Sequence, residues 1–264
     1  MNLDRMQAQR FERKYFVKER QVAPLREFIS GYLQLDEFSL GRPENCYPIH
    51  SIYLDSNQLT TYWATVHCEK LRFKLRARYY SDDPNAPVFF EIKRRENECV
   101  LKQRAPARRK AAAELIGGQL PGAEHLMADR PHDLTVLQRF CYLSHRLNAR
   151  PMMQISYERE AWIHPQTNSV RVTMDRNVRG EPRHEAVFNT QMDRPIYPFR
   201  KQIVLELKFT DRFPDWFADL VRHFDLVQIG APKYCGSIFE TGEQRVVSKF
   251  SHLTQQKLAD ALTY

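Results

Sequence analysis

The sequence predicts an α+β fold built on a mostly antiparallel sheet. Several stretches alternate apolar and charged residues with the period of two that is typical of a half-buried strand, most clearly KLRFKLRARYY at residues 70–80. These strands come in runs separated by helical segments, without the strand–helix–strand rhythm of a parallel sheet. With 264 residues, of which 42% are hydrophobic, the chain can bury a sizeable core.

Each element is assigned from its periodicity and its flanking residues. Strands are predicted at residues 11–17, 49–54, 70–80, 88–95, 98–104, 152–159, 169–175 and 202–209. Helices are predicted at residues 24–33, 58–64, 108–116, 134–147, 215–224 and 248–262. The turn SDDPNAP joins two strands, Leu134 and Leu137 begin a helical repeat, and Pro214 precedes the helix at 215–224.

Composition points to an anionic partner and a reducing compartment. The 40 Lys and Arg residues outnumber the 32 Asp and Glu residues, which suits nucleic acid, phosphate or an acidic membrane surface. Five cysteines without a CxxC pair indicate neither a disulfide framework nor a zinc site. The sequence shows no secretory signal and no apolar stretch of membrane length, so we expect a cytoplasmic protein without an integral membrane segment.

Charge recurs on one face of strand after strand. The pattern Glu-x-Lys occurs three times, as Glu12/Lys14, Glu91/Lys93 and Glu206/Lys208. For a single strand, a solvated face is the ordinary interpretation. If the sheet closes on itself with its apolar face outward, however, all of this charge points into one lumen. The inward cations would be Lys14, Lys74, Arg76, Arg78, Lys93, Lys102, Arg104, Arg159, Arg171, Lys208 and Lys233.

Eleven such cations face only four acids, Glu12, Glu91, Asp175 and Glu206, which leaves a surplus of seven positive charges. A phosphate chain is the anion that suits this surplus best, because Arg and Lys are the usual phosphate ligands. The acids would then hold divalent metal ions together with phosphate oxygens. Glu12 and Glu91 could equally well orient Lys14 and Lys93, and for Asp175 a structural role is favoured.

Nine short motifs in order resemble the VTC domain, the polyphosphate polymerase module of the vacuolar transporter chaperone family, in the triphosphate tunnel metalloenzyme superfamily. They are FERKY, SIYLD, KLRARYY, FEIKRR, LKQR, SYEREA, VRVTMD, LELK and PKYCGSIF, and they span roughly residues 11–239. One departure is visible, since relatives commonly carry Ser where this chain has Pro232.

The resemblance implies a single domain over residues 1–264, with its core at 11–239 and a helical tail at 248–264. It implies a closed, eight-stranded antiparallel β-barrel with flanking helices, whose charged lumen grips a triphosphate. The catalytic residues would be Lys14, Arg76, Arg78, Lys93, Arg159, Arg171, Lys208 and Lys233. Substrate would contact Lys74, Lys102, Arg104, Tyr15, Glu12 and Glu91. Glu206 would hold Mn²⁺ or Mg²⁺.

The function that this implies is transfer of the ATP γ-phosphoryl group to a growing polyphosphate chain. Two alternatives use the same tunnel: a hydrolase of triphosphate or polyphosphate, and a non-enzymatic module that binds polyphosphate or inositol phosphates. RNA binding is disfavoured, because aromatic residues do not interleave with the charged faces as a stacking platform requires. The expected partners are ATP, inorganic polyphosphate and triphosphate or pyrophosphate, with no nucleic acid, and the expected state is a monomer or homodimer.

Overall fold

The computed structural model describes residues 11–167 and 169–247, so the predicted tail helix at 248–262 lies outside the described residues. The strands are β1 Phe11–Val17, β2 Gln34–Leu35, β3 Tyr47–Asp55, β4 Leu71–Tyr79, β5 Val88–Glu96, β6 Cys99–Ala107, β7 Arg150–Ile163, β8 Val170–Pro182 and β9 Ile203–Phe209. The helices are α1 Val22–Ser30, α2 Thr60–Val66, α3 Arg109–Ile116, α4 Pro131–Leu147, α5 Asp215–His223, α6 Lys233–Thr241 and α7 Glu243–Val246.

The strands form one antiparallel sheet in the order β1-β9-β8-β7-β3-β4-β5-β6, with the short β2 paired to β7. In chain order the first strand, β1, therefore pairs with the last one, β9, and Phe11 lies opposite Phe209. Helices flank this sheet, which confirms the predicted α+β class with an antiparallel sheet. None of the helices within residues 11–167 and 169–247 combines the length and the apolar composition that a membrane crossing requires.

The sheet is not closed into a barrel, contrary to the prediction. Its two ends are β1 and β6, and no ladder joins them in the described part of the chain. One reason is that the edge of β1 that faces away from β9 is already hydrogen-bonded to another segment. The Ile229 amide donates to the Lys14 carbonyl at 2.8 Å, and Tyr15 forms an antiparallel bridge with Gln228. The segment that follows α5 thus occupies part of the edge that closure would need.

The outer face of the sheet is covered by apolar clusters. On one side Leu75, Ala77 and Ile92 are fully buried in a cluster that includes residues of α3 and α4. On the other side Val172 and Leu207 are fully buried with residues of α1 and α5. Since successive residues of a strand point to opposite faces, this burial turns the charged positions inward.

Part of the inner face is apolar as well, because α6 packs against it. Tyr234 and Ile238 of this helix share a cluster with Ile155. A side chain at Gly180 in β8 would collide with Ser237 of α6, so helix and strand approach each other directly there. Helix α6 therefore fills one part of the concave side and leaves the charged part open as a cavity.

Candidate functional site, a cationic cavity

A cavity of about 1040 Å³ opens on the charged part of the inner face. Thirteen of the fifteen predicted site residues line it: Glu12, Lys14, Lys74, Arg76, Arg78, Lys93, Lys102, Arg104, Arg159, Arg171, Glu206, Lys208 and Lys233. The strand alternation thus brings together side chains from seven strands and from the start of α6. Of the other two predicted residues, Glu91 is buried directly behind the lining and Tyr15 lies elsewhere.

Tyr15 does not reach the cavity. Its position on β1 is odd, between the inward Lys14 and Phe16, so its side chain points outward. It is 2% exposed and belongs to the outer cluster with Leu205 and Leu25. The position of Tyr15 explains its burial by packing and gives it no contact with a ligand in the cavity.

A row of lysines crosses three neighbouring strands. In register, Lys74 of β4 lies opposite Lys93 of β5, and Lys93 lies opposite Lys102 of β6. Like charges at directly opposed positions destabilise a sheet, because their Cβ atoms are only about 5 Å apart. Along the ladder no carboxylate stands between these three residues, although Lys93 pairs with Glu12 and Lys102 pairs with Glu91. We call these three residues the lysine row, and their arrangement favours an anion bound above them.

The next row towards the far end of β4 holds a buried carboxylate. Glu91 is fully buried and lies opposite Arg76 on one side and Arg104 on the other. Its Oε2 atom is 2.6 Å from Arg76 Nε and 3.7 Å from Arg78 Nε. Its Oε1 atom is 2.7 Å from Lys102 Nζ and 3.5 Å from Arg104 Nε. Glu91 with these four cations is called the Glu91 cluster.

Three tyrosine hydroxyls, none of them among the predicted site residues, hold the arginines of this cluster. Arg76 Nη1 donates to Tyr53 Oη at 3.0 Å, Arg78 Nη2 to Tyr157 Oη at 3.2 Å, and Arg104 Nη2 to Tyr80 Oη at 3.0 Å. Each guanidinium is thus fixed by a carboxylate and a phenol, and part of its donor fork is turned towards the cavity. Burial would raise the pKa of Tyr53, but Arg76 and Arg78 lower it to about 8.

A second carboxylate, Glu206, lies on the cavity wall. Its Oε2 atom is 2.7 Å from Lys208 Nζ and 3.3 Å from Arg159 Nη2. Its Oε1 atom is 3.0 Å from Lys233 Nζ and 3.6 Å from Lys14 Nζ. Glu206 with these four cations is called the Glu206 cluster.

Two further acids share the cations of the Glu206 cluster. Glu12 pairs with Lys14 at 2.8 Å and also with Lys93 at 3.2 Å. Fully buried Asp175 pairs with Arg159 at 2.6 Å and with Lys233 Nζ at 2.6 Å. This supports the structural role that the sequence favoured for Asp175.

The charge states follow from this pairing. Burial alone would raise the pKa of Glu206, but Lys208, Lys233, Lys14 and Arg159 hold it well below its usual range. Burial lowers the pKa of Lys208 to about 8, although the Glu206 carboxylate opposes this shift. Glu206 is therefore ionised at neutral pH, while Lys208 loses its proton only one unit above neutrality.

The donor set suits a hard divalent cation only together with phosphate. Among the described residues, no three His, Cys, Asp or Glu side chains converge as a metal site. Glu206 offers one carboxylate, and the Thr173 hydroxyl lies 3.3 Å from its Oε2 atom. Mg²⁺ is commonly bound through one or two carboxylates plus substrate phosphates and water, so a single wall carboxylate fits this mode.

The chain belongs to the VTC domain family, since that family's sequence profile matches residues 9–240. No protein among the curated sequences matches the chain. Among solved structures, the chain is similar to a candidate adenylate cyclase from Vibrio parahaemolyticus, with 10% sequence identity and a TM-score of 0.41. The similarity covers 85% of this chain and 94% of that one.

Proposed function

We propose that this chain is a polyphosphate polymerase, which transfers the γ-phosphoryl group of ATP to the end of a growing inorganic polyphosphate chain. The observation that carries the proposal is the charge of the cavity, which fourteen Lys and Arg side chains but only three carboxylates line. Glu91 and Asp175 lie behind this lining, so an excess of nine positive charges remains. A phosphate chain supplies closely spaced negative charges that neutralise such an excess.

The transfer asks the protein mainly for positioning and charge neutralisation. An oxygen at the end of the chain forms a bond to the γ-phosphorus, the bond from that phosphorus to the β–γ bridging oxygen breaks, and ADP leaves. The non-bridging oxygens are neutralised by Arg76, Arg78, Lys93, Arg159 and Arg171. The phosphates are oriented by Lys14, Lys208 and Lys233. None of these steps needs a protein nucleophile.

Glu206 is the residue that would hold Mn²⁺ or Mg²⁺, jointly with phosphate oxygens. The bound ion would add positive charge where the phosphates develop negative charge. Glu91 is less suited to this role, since it lies behind the side chains that line the cavity. Our further proposals are a cytoplasmic location and a monomeric or homodimeric state.

The lysine row favours polymerisation over hydrolysis on the same site. Lys102 of this row also belongs to the Glu91 cluster, and Lys93 is joined to the Glu206 cluster through Glu12, which pairs with both Lys93 and Lys14. A triphosphate at Glu206 that also uses Arg76, Arg78 and Lys93 leaves further cations on β4 and β6 for an additional stretch of phosphate, namely Lys74, Lys102 and Arg104. A longer anion uses both halves of the cavity, which a triphosphatase does not require.

Incubation of the purified protein with ATP and Mn²⁺, followed by gel electrophoresis, tests the proposal. A ladder of long phosphate chains is the expected product. Free phosphate or pyrophosphate without a ladder would instead identify a hydrolase. Tight binding without turnover would favour the non-enzymatic module that binds polyphosphate or inositol phosphates.

Glu206→Gln separates enzyme from binder at one residue, because it keeps the side chain's shape and removes its charge. We expect it to abolish most turnover while leaving the metal-free affinity for tripolyphosphate unchanged or somewhat tighter, since a negative charge leaves the cavity. The matched variant Arg76→Ala should weaken both binding and turnover. Calorimetry and product gels provide the two readouts. Parental turnover in Glu206→Gln would show that the metal assignment is wrong.

A further inference from the structure

The loop between β2 and β3, residues 36–46, places an aromatic ring at the edge of the cationic cavity. Phe38 lines the cavity although it is 58% exposed. The other aromatic side chains that line the cavity in the described part of the chain are buried or half-buried. Exposure of a single Phe is common on protein surfaces and indicates no site by itself. Its loop and its neighbours supply the further evidence.

Hydrogen bonds hold the loop firmly. The Asp36 amide donates to the Ala161 carbonyl at 2.8 Å, and the Ala161 amide donates to Ser39 Oγ at 3.0 Å. Ser39 is fully buried, so this second bond is shielded from water. The Phe38 amide donates to Asp36 Oδ1 at 2.9 Å. The ring of Phe38 is therefore presented from a backbone that is fixed to β7 before any ligand arrives.

The Asp36 carboxylate connects the backbone of Phe38 to Arg171, one of the predicted phosphate ligands. Asp36 is 5% exposed, and its Oδ2 atom accepts a hydrogen bond from Arg171 Nη2 at 2.8 Å. Phe38 is two residues from Asp36, a distance of at most about 7 Å along an extended backbone. Arg42 of the same loop also lines the cavity. An apolar platform thus lies beside two guanidinium groups, at the edge of a cavity whose interior is cationic.

We propose that Phe38 is a base-stacking site, on which the base of a nucleoside triphosphate lies while its phosphates extend past Arg171 into the cavity. The inference rests on the proposed function in so far as a nucleoside triphosphate is the phosphoryl donor. Stacking accepts every base, because each has a π face, and it is strongest for the larger purine rings. Both oxygens of Asp36 are engaged, so this carboxylate does not read the edge of the base. Purines should therefore be preferred over pyrimidines, with little discrimination between ATP and GTP.

Calorimetry in metal-free buffer tests the proposal without any need for turnover. ATP and tripolyphosphate are each titrated into the parent protein, Phe38→Ala, Phe38→Tyr and Leu40→Ala. Leu40 is the matched control, since it is 68% exposed on the same loop but does not line the cavity. We expect Phe38→Ala to weaken ATP binding about tenfold and to change tripolyphosphate binding less than twofold. Phe38→Tyr, which keeps an aromatic face, should retain the parental ratio of the two affinities, as should Leu40→Ala.

Two results would overturn the base site. One is an unchanged ratio of ATP to tripolyphosphate affinity in Phe38→Ala, and the other is an equal loss for both ligands. These outcomes are distinct from a failure of the polymerase proposal. A protein that forms phosphate ladders but keeps its affinity ratio in Phe38→Ala would remain a polymerase without this base site. A protein that forms no ladder but shows the predicted loss would keep the base site.

Discussion

Glu91 and Glu206 are both buried carboxylates that hold four cations, but they differ in what surrounds them. The four cations of the Glu91 cluster have no other carboxylate partner among the described residues. In the Glu206 cluster, Lys14 also pairs with Glu12, while Arg159 and Lys233 also pair with Asp175. Glu206 lines the cavity, whereas Glu91 lies behind its arginines. Glu91 is thus a structural counterion, and Glu206 is the carboxylate that a ligand can reach.

The largest effect expected from this difference is on the free energy of unfolding. Glu91→Gln leaves buried Arg78 and three half-buried cations without a counterion, and breaking a fully buried pair, the upper bound for this cluster, costs about 3–5 kcal/mol of unfolding free energy. Glu206→Gln should cost less than half as much, because three of its four cations keep another carboxylate. Chemical denaturation of the two variants and the parent measures both values. Equal losses would mean that the two clusters play the same structural role.

Phosphate ligands should stabilise the protein through the cations that both clusters turn towards the cavity. A ligand that binds only the native state at a hundredfold excess over its Kd adds roughly 2.7 kcal/mol. We expect tripolyphosphate to raise Tm clearly more than sulfate does at matched ionic strength. The gain should persist in Glu206→Gln. An equal Tm shift with both anions would indicate general screening of charge.

Binding should depend on pH through Lys208, the one cation of the Glu206 cluster that has Glu206 as its only carboxylate partner in the described residues. Its pKa of about 8 means that it loses its charge as the pH rises through this value. Bound phosphate favours the protonated form, so binding takes up a proton and weakens at higher pH. Between pH 7 and 9 tripolyphosphate affinity should fall about tenfold relative to Lys208→Arg, since one pKa unit corresponds to a factor of ten.

The comparison with Lys208→Arg isolates the effect of this lysine, because arginine remains charged over the pH range. Protonation of the phosphate ligand itself changes equally in the experiments with the parent and with the variant. Parallel pH profiles for the parent and the variant would refute the assignment of the proton uptake to Lys208.

The smallest effect is expected at Lys74, which belongs to neither cluster and donates to Cys235 Sγ at 3.3 Å. Lys74→Met removes the ammonium group that lies directly opposite Lys93 in the lysine row. The free protein should become more stable by roughly 0.2–1 kcal/mol, because cross-strand like charges destabilise by about that amount. Tripolyphosphate affinity should fall in the same variant. Chemical denaturation measures the expected gain in stability, and calorimetry on the same preparation measures the expected loss of affinity. A loss of stability would show that repulsion between Lys74 and Lys93 does not destabilise the free protein.

The sequence could predict the inward charges because charged and apolar residues alternate along their strands. Along β4 and β9 the apolar residues Leu75 and Leu207 alternate with charged residues. The periodicity itself therefore distinguishes the outward apolar side chains from the inward charged ones. Strand β3 has no such signal, since nearly all its residues are buried, and inward Tyr53 therefore remained unidentified. Whether β1 meets β6 depends on edge contacts far apart in the chain, which periodicity does not encode.

Two other features were not predicted from the sequence, each for a local reason. Tyr15 follows a motif residue, Lys14, and was assigned to substrate although the alternation turns it outward. No helix is predicted at residues 233–241, whereas most of the segment PKYCGSIF forms α6, which begins directly after Pro232 and brings Lys233 to the cavity. Pro232, where the resemblance led us to expect Ser, lines the cavity, and its ring restricts the backbone directly before the first residue of the helix.

The pairing of β1 with β9 also affects how the protein is made. Phe11 and its partner Phe209 are separated by nearly the whole described chain. At a synthesis rate of about 5–20 residues per second, β1 waits roughly 10–40 s before its partner strand has been translated. During that time its alternating residues have no sheet to join, and charged Glu12 and Lys14 interrupt the apolar surface that would otherwise favour aggregation. The charges that later line the cavity thus also protect the nascent strand.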